Sequence, residues 1–110
     1  MIIDRDGNVT IIAQEKASVK TLVNNIEQAY DKYKSNHLIV RLSSLEKIQL
    51  EDIIEFLRLS NNHRSDKKSF VIVSAQVDLD QMPDELVVVP TLQEAYDIIE
   101  MEDIERDLGF

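Results

Sequence analysis

Few side chains in this sequence can move protons, hold metals or attack an electrophile. There are two histidines and no cysteine. His37 opens the apolar run HLIV, and His63 lies in a basic stretch. Neither has a second histidine or a carboxylate at ligand spacing, and no His-Glu-x-x-His occurs, so both read as structural or solvated. Without cysteine there is no disulfide framework, thiolate metal site or thiol nucleophile. Carboxylates come in the pairs Glu51/Asp52, Asp84/Glu85 and Glu102/Asp103. Acid–base work needs two carboxyls in unlike environments of one cleft. Adjacent helical residues point to different sides, so all three pairs read as solvated surface. Gly7 and Gly109 are the two glycines, too few for the close backbone approach of a phosphate-cradling loop. Ser43 and Ser44 are the one candidate modification site, at the C-terminal end of a strand where open α/β sheets place their contacts. The competing reading is a turn pair bonded to local backbone. No catalytic residue, metal or cofactor is assigned.

The elements that would position these groups are legible from periodicity. Asp6-Gly7 marks a tight turn between strands near 1–4 and 8–13. Ser18 caps a helix whose apolar stripe is Val19, Leu22, Val23, Ile26, Tyr30 and Tyr33. His37–Leu42 is a strand, and a helix after it buries Leu50, Ile53, Ile54 and Leu57. Phe70–Val73 is a short β-branched strand, residues 76–85 are irregular, and Leu86–Val89 is the last strand. Thr91 and Glu94 form a capping box for a final helix with Leu92, Ala95, Tyr96, Ile98 and Ile99 inward. That helix can run on through Met101, Ile104 and Leu108 to a terminal Phe110. The order ββαβαββα implies one α/β domain over residues 1–110, with a mixed, mainly parallel sheet and an acidic helical tail at about 91–110.

Of 110 residues, 44% are hydrophobic and 30% charged, as in an ordinary folded domain. No apolar run reaches membrane-spanning length, and MIIDRDGN lacks the basic and apolar regions of a secretory leader. A cytoplasmic protein is expected. The net charge of −9 is lopsided: residues 1–77 hold ten acids and eleven Lys/Arg, whereas 78–110 hold eleven acids and only Arg106. A negative field repels phosphate backbones. The nearest approach to a basic patch, Arg58, His63, Arg64, Lys67 and Lys68, falls at a helix end where cations complement the dipole. Direct nucleic-acid binding is not expected.

The strand HLIVRLSSL, the helix EDIIEFLRLSN, the strand SFVIVSA and the closing VVPTLQEAYDII together resemble the STAS domain, the anti-sigma-factor-antagonist fold, over about residues 1–100. The resemblance implies a regulatory module acting through a protein partner. In phosphorylated members an Asp-Ser-Ser-Gly turn precedes the second helix. Here Gln49-Leu50-Glu51-Asp52 stands in its place, so no serine is available to a kinase. Glu51 and Asp52 either mimic a permanently phosphorylated end or are simply favourable first-turn acids. The chain is also similar to small Bacteroidetes proteins, some labelled ribonuclease Z. The nuclease of that name uses a His-x-His-x-Asp-His cluster, and none is present, so that resemblance implies at most an accessory role. Two candidate surfaces follow. One is the turn and helix start with Ser43, Ser44, Gln49, Leu50, Glu51 and Asp52. The other is Met101, Ile104, Leu108 and Phe110, which either pack on their own sheet or dock on a partner or a second copy.

Overall fold

The structure is a computed structural model that describes residues 2–13, 18–42, 50–75 and 82–109. Five strands form one sheet in the order β1 (Ile2–Asp6), β2 (Val9–Ala13), β3 (His37–Arg41), β4 (Phe70–Val73) and β5 (Val87–Val89). β1 and β2 form an antiparallel hairpin with Asp6 opposite Val9, and every later pair is parallel. The hairpin closes through Gly7 at φ +59, a left-handed conformation that glycine reaches without a Cβ clash. The expected α/β class and mixed, mostly parallel sheet are therefore present.

Helix α1 (Val19–Gln28) starts at Ser18, whose hydroxyl accepts from the Thr21 amide at 3.2 Å. A short 3₁₀ turn, Tyr30–Lys32, follows it. The expected single helix after β3 is instead two segments, α2 (Leu50–Ile54) and α3 (Leu57–Ser65). The inward stripe also differs. Ile53, Phe56, Leu59 and His63 are buried, whereas Ile54 is exposed and Leu57 half-buried. Phe56 is the larger apolar side chain, and placing it in the core turns Ile54 outward. The last helix, α4 (Leu92–Asp107), begins at Thr91, which accepts from the Glu94 amide at 3.2 Å, and runs the full length expected of it. Gly109 at φ +83 follows its end.

Strand order and sequence order coincide, so β2, β3, β4 and β5 advance in one direction. With one crossover handedness, their connecting helices fall on one face. Accordingly Val19, Leu22, Val23 and Ile26 of α1, with Ile53, Phe56 and Leu59, pack on Ile12, Leu38, Val40, Phe70 and Ile72. α4 crosses back over the other face, where Ala95 and Ile99 meet Val9, Ile39, Val71 and Val73. β3 and β4 are buried on both sides, and so read as unbroken apolar runs rather than alternating ones.

Two substitutions probe this packing. Ser60 is fully buried on α3, and its hydroxyl has no partner among the described residues. Ser60→Ala is expected to raise unfolding stability by about 1 kcal/mol, seen as a higher urea midpoint at unchanged slope. Thr91→Ala removes the α4 cap and is expected to lower stability by about 1 kcal/mol in the same measurement.

Candidate functional site

The polar residues that come together do so at the N-terminal ends of β3 and β4, under the second half of α4. His37 is 3% exposed. Its Nδ1 accepts from the Ser69 backbone N–H at 2.9 Å, so the ring proton sits on Nε2, 3.1 Å from the Asp103 carboxylate. Asp103 also accepts from Arg106 Nη1 at 3.0 Å. The Ser69 hydroxyl donates to Glu102 at 2.6 Å and accepts from Arg106 Nη2 at 2.9 Å. The other Glu102 oxygen accepts from Arg64, which comes from α3 on the opposite face. Arg64 thus reaches around the end of the sheet, and one carboxylate ties the two helical layers together.

His63, fully buried nearby on α3, is held by a separate pair of bonds. Its Nε2 donates to the Asn36 carbonyl at 2.8 Å, so Nδ1 is the acceptor for the Tyr30 hydroxyl at 2.6 Å. Each imidazole is therefore held as the neutral Nε2–H tautomer by one backbone group and one side chain. Burial pushes the His37 pKa down, with Arg106 and Lys68 adding to the effect and Asp103 opposing it. Burial does the same to His63, with Asn36 and Asp66 opposing and His37 and Lys68 assisting.

These contacts correct several sequence-based expectations. His37 and His63 are structural, as one of the two readings had it, but neither is solvated, and His37 does have a carboxylate partner. Asp103 lies far from it in sequence, and only the return of α4 brings them together. Glu102 is not solvated surface, since its side chain is only 13% exposed, whereas Asp103 is bonded in the network yet keeps a solvent-facing side, and Glu51, Asp84 and Glu85 are exposed. The basic stretch is dispersed, because Arg58 pairs with Glu27 at 2.9 Å, Arg64 pairs with Glu102 and His63 is in the core.

Ser69, His37 and Asp103 have the residue types of a nucleophilic triad but not its geometry. The ring nitrogen that faces Ser69 meets its amide rather than its hydroxyl, and that hydroxyl is fully buried and donates to Glu102. No group of three or more His, Asp or Glu among the described residues is arranged to hold a metal ion. Among the described strands the order is unreversed, without the switch point at which open α/β sheets bind nucleotides. The cluster is a clasp between α3, α4 and the strand ends, built to hold them together.

Of the first candidate surface, Ser43, Ser44 and Gln49 lie outside the described residues. Leu50 begins α2, Glu51 is exposed and Asp52 half-buried in its first turn. In the second surface, Met101, Ile104 and Leu108 are 49%, 53% and 67% exposed, and Phe110 lies outside the described residues. Beside them a groove of about 510 Å³ runs between α4 and the β1–β2 turn. Its walls include Val9, Tyr96, Ile99 and Ile104, with Asp6, Glu100, Asp103 and Asp107 around them. Tyr96 donates to Asp6 at 2.8 Å, and burial together with the Asp6 and Asp4 carboxylates pushes its pKa up to about 12. This groove went unrecognised in the sequence, although the acidic pattern of α4 was visible there. No helix among the described residues is long and apolar enough to cross a membrane.

The two buried histidines make stability depend on pH in a definite direction. Both histidines ordinarily titrate near 6.5 and have lowered values when folded. The unfolded chain therefore binds more protons just below that pH. Stability is fully present above 6.5 and falls as the pH drops toward the folded values. Two such groups can together give a slope of up to about 2.7 kcal/mol per pH unit. Urea unfolding from pH 7.5 to 5.5 should show this decline, and His63→Gln should reduce its slope by up to half. In comparison with known proteins, no family model matches the chain and no curated protein does.

Proposed function

We propose that this protein is a non-catalytic regulatory module, built on a STAS-type scaffold, that works by contact with a protein partner. One observation carries the reading: the groups with chemical potential point inward while the apolar and acidic residues of α4 are left outward. His37, Ser69, Glu102 and Asp103 are engaged in the clasp, and buried His63 is bonded to Tyr30 and Asn36. Met101, Ile104 and Leu108 are exposed large apolar residues on a single helix. Such residues clustered on one element suit an interface better than a solvated surface.

The order of elements, with a hairpin leading into βαβ units and a final capped helix, supports the STAS-type scaffold. The family's phosphorylation switch is not carried over, since Leu50-Glu51 stands where the phosphorylated serine would be. Regulation on this scaffold would then come from which partner is bound.

Purified protein is expected to contain no stoichiometric metal and to leave RNA intact. Bound zinc accompanied by RNA cleavage would overturn the reading in favour of a nuclease. Affinity capture from the native host, followed by mass spectrometry, is expected to return a protein that co-elutes reproducibly. Recovery of the chain alone, at native concentration and low salt, would count against an interaction module.

A further inference from the structure

We propose that the sheet surface beside α4 is a lane for a cationic amphipathic helix of another protein. The inference rests on the reading as an interaction module and names the surface and the partner chemistry. Its first support is an asymmetry of layers. One face of the sheet is covered by α1 together with α2 and α3. The other, among the described residues, has α4, packed mainly on β3, β4 and β5 and reaching Val9 of β2. The register puts Ile2, Asp4 and Asp6 of β1 on this second face, opposite Ala13, Ile11 and Val9 of β2. Strands lie about 4.8 Å apart, so two of them span roughly 10 Å, the distance at which helices pack side by side. Among the described residues β1 is exposed along its length and Ile11 and Ala13 of β2 are half-buried, so the open strip lies over β1 and the adjoining edge of β2, while Val9 is already buried beneath α4.

The second support is its chemistry. Val9 and Ile99 give the groove an apolar floor, and Ile104 rises on its α4 wall. Ile104 also belongs to the exposed i, i+3, i+7 ridge that Met101 and Leu108 complete. Of the four carboxylates in the lining, Asp103 is held by His37 and Arg106, and Asp6 accepts from Tyr96. Glu100 and Asp107 are exposed and have no hydrogen bond or ion pair among the described residues. Among the described residues, no lysine or arginine lines the groove.

These features choose among occupants. A bare divalent cation lacks a converging set of three ligands among the described residues. A second copy laying its own α4 in the lane would oppose seven acids and one base to the same set. An added strand on β1 meets the charged stretch Asp4-Arg5-Asp6, with the Arg5 amide already bonded to the Asp4 side chain at 3.2 Å. A helix with an apolar stripe and flanking Lys or Arg satisfies the floor and the free carboxylates together.

The probe is a helical peptide of leucine and lysine at amphipathic spacing, with the same peptide carrying glutamate for lysine as control. Backbone amide NMR is expected to show the lysine peptide shifting Asp6–Val9, Tyr96, Glu100 and Ile104, while the glutamate peptide does not bind. The double variant Glu100→Lys/Asp107→Lys, and separately Ile104→Ser, should each weaken binding about tenfold or more while keeping the wild-type melting temperature. These sites are exposed, so folding is retained. Absent binding, shifts confined to another surface, or equal affinity in both variants would overturn the lane. So would wild-type self-association that Ile104→Ser abolishes, which would make a second copy the occupant. A native partner captured equally by wild type and the double variant would leave the interaction module standing and remove only the lane.

Discussion

A parallel sheet must be covered on both faces, and this chain meets that requirement unequally. The strands follow one another across the sheet, so their connecting helices gather on one side. Only the segment after β5 is free to cover the other. α4 is therefore the element on which burial of Ile39, Val71 and Val73 depends. Without it, the central strands would expose one apolar face to water. The same inequality leaves β1, at the edge of the sheet, beyond the reach of α4, and its residues are exposed.

One helix on a sheet can slide or rotate unless something fixes its register. Ala95 and Ile99 supply burial, but apolar contacts are weakly directional. The clasp at the far end provides direction. Ser69 and His37, at the starts of adjacent strands, offer a hydroxyl and an imidazole to consecutive acids of α4. Arg64 then binds one of those acids from the other layer. Networks of this kind specify one arrangement because each member is satisfied only when all the others are in place. Breaking one link leaves a buried polar group unpaired, which costs about 1–3 kcal/mol and more for a charge. The network that fixes the helix also spends His37 and the buried hydroxyl of Ser69, and His63 is spent separately on Tyr30 and Asn36. That is why residue types suggestive of catalysis end in a structural role.

Much of the fold could be read from local pattern. Phe70–Val73 was recognisable because a strand buried on both faces has no room for polar residues. Asp6-Gly7 was recognisable because a tight hairpin turn requires a left-handed residue. Ser18 and Thr91 announced helix starts because free amides there need an acceptor. The break between α2 and α3 was not legible. Either Ile54 or Phe56 continues an apolar helical pattern, and what favours Phe56 is its contact with the Phe70 ring on β4, which is distant in sequence. The candidate site was legible only in part. Acidity and apolar spacing on α4 are local properties. Whether Glu102 or Glu100 faces solvent depends on how α4 crosses the sheet.

By itself, then, the sequence determined the kinds and order of elements, the capped start of α4, the lopsided charge and the lack of a metal motif. These are set by neighbours a few residues apart, within reach of backbone periodicity and side-chain type. Only the tertiary structure decided that His37 meets Asp103, that Arg64 meets Glu102 from the opposite layer, and that β1 lies exposed beside α4. Those pairings join residues from 38 to 66 positions apart. They exist because α4 returns across the sheet, a path fixed by the shared need to bury β3 and β4 rather than by any local pattern.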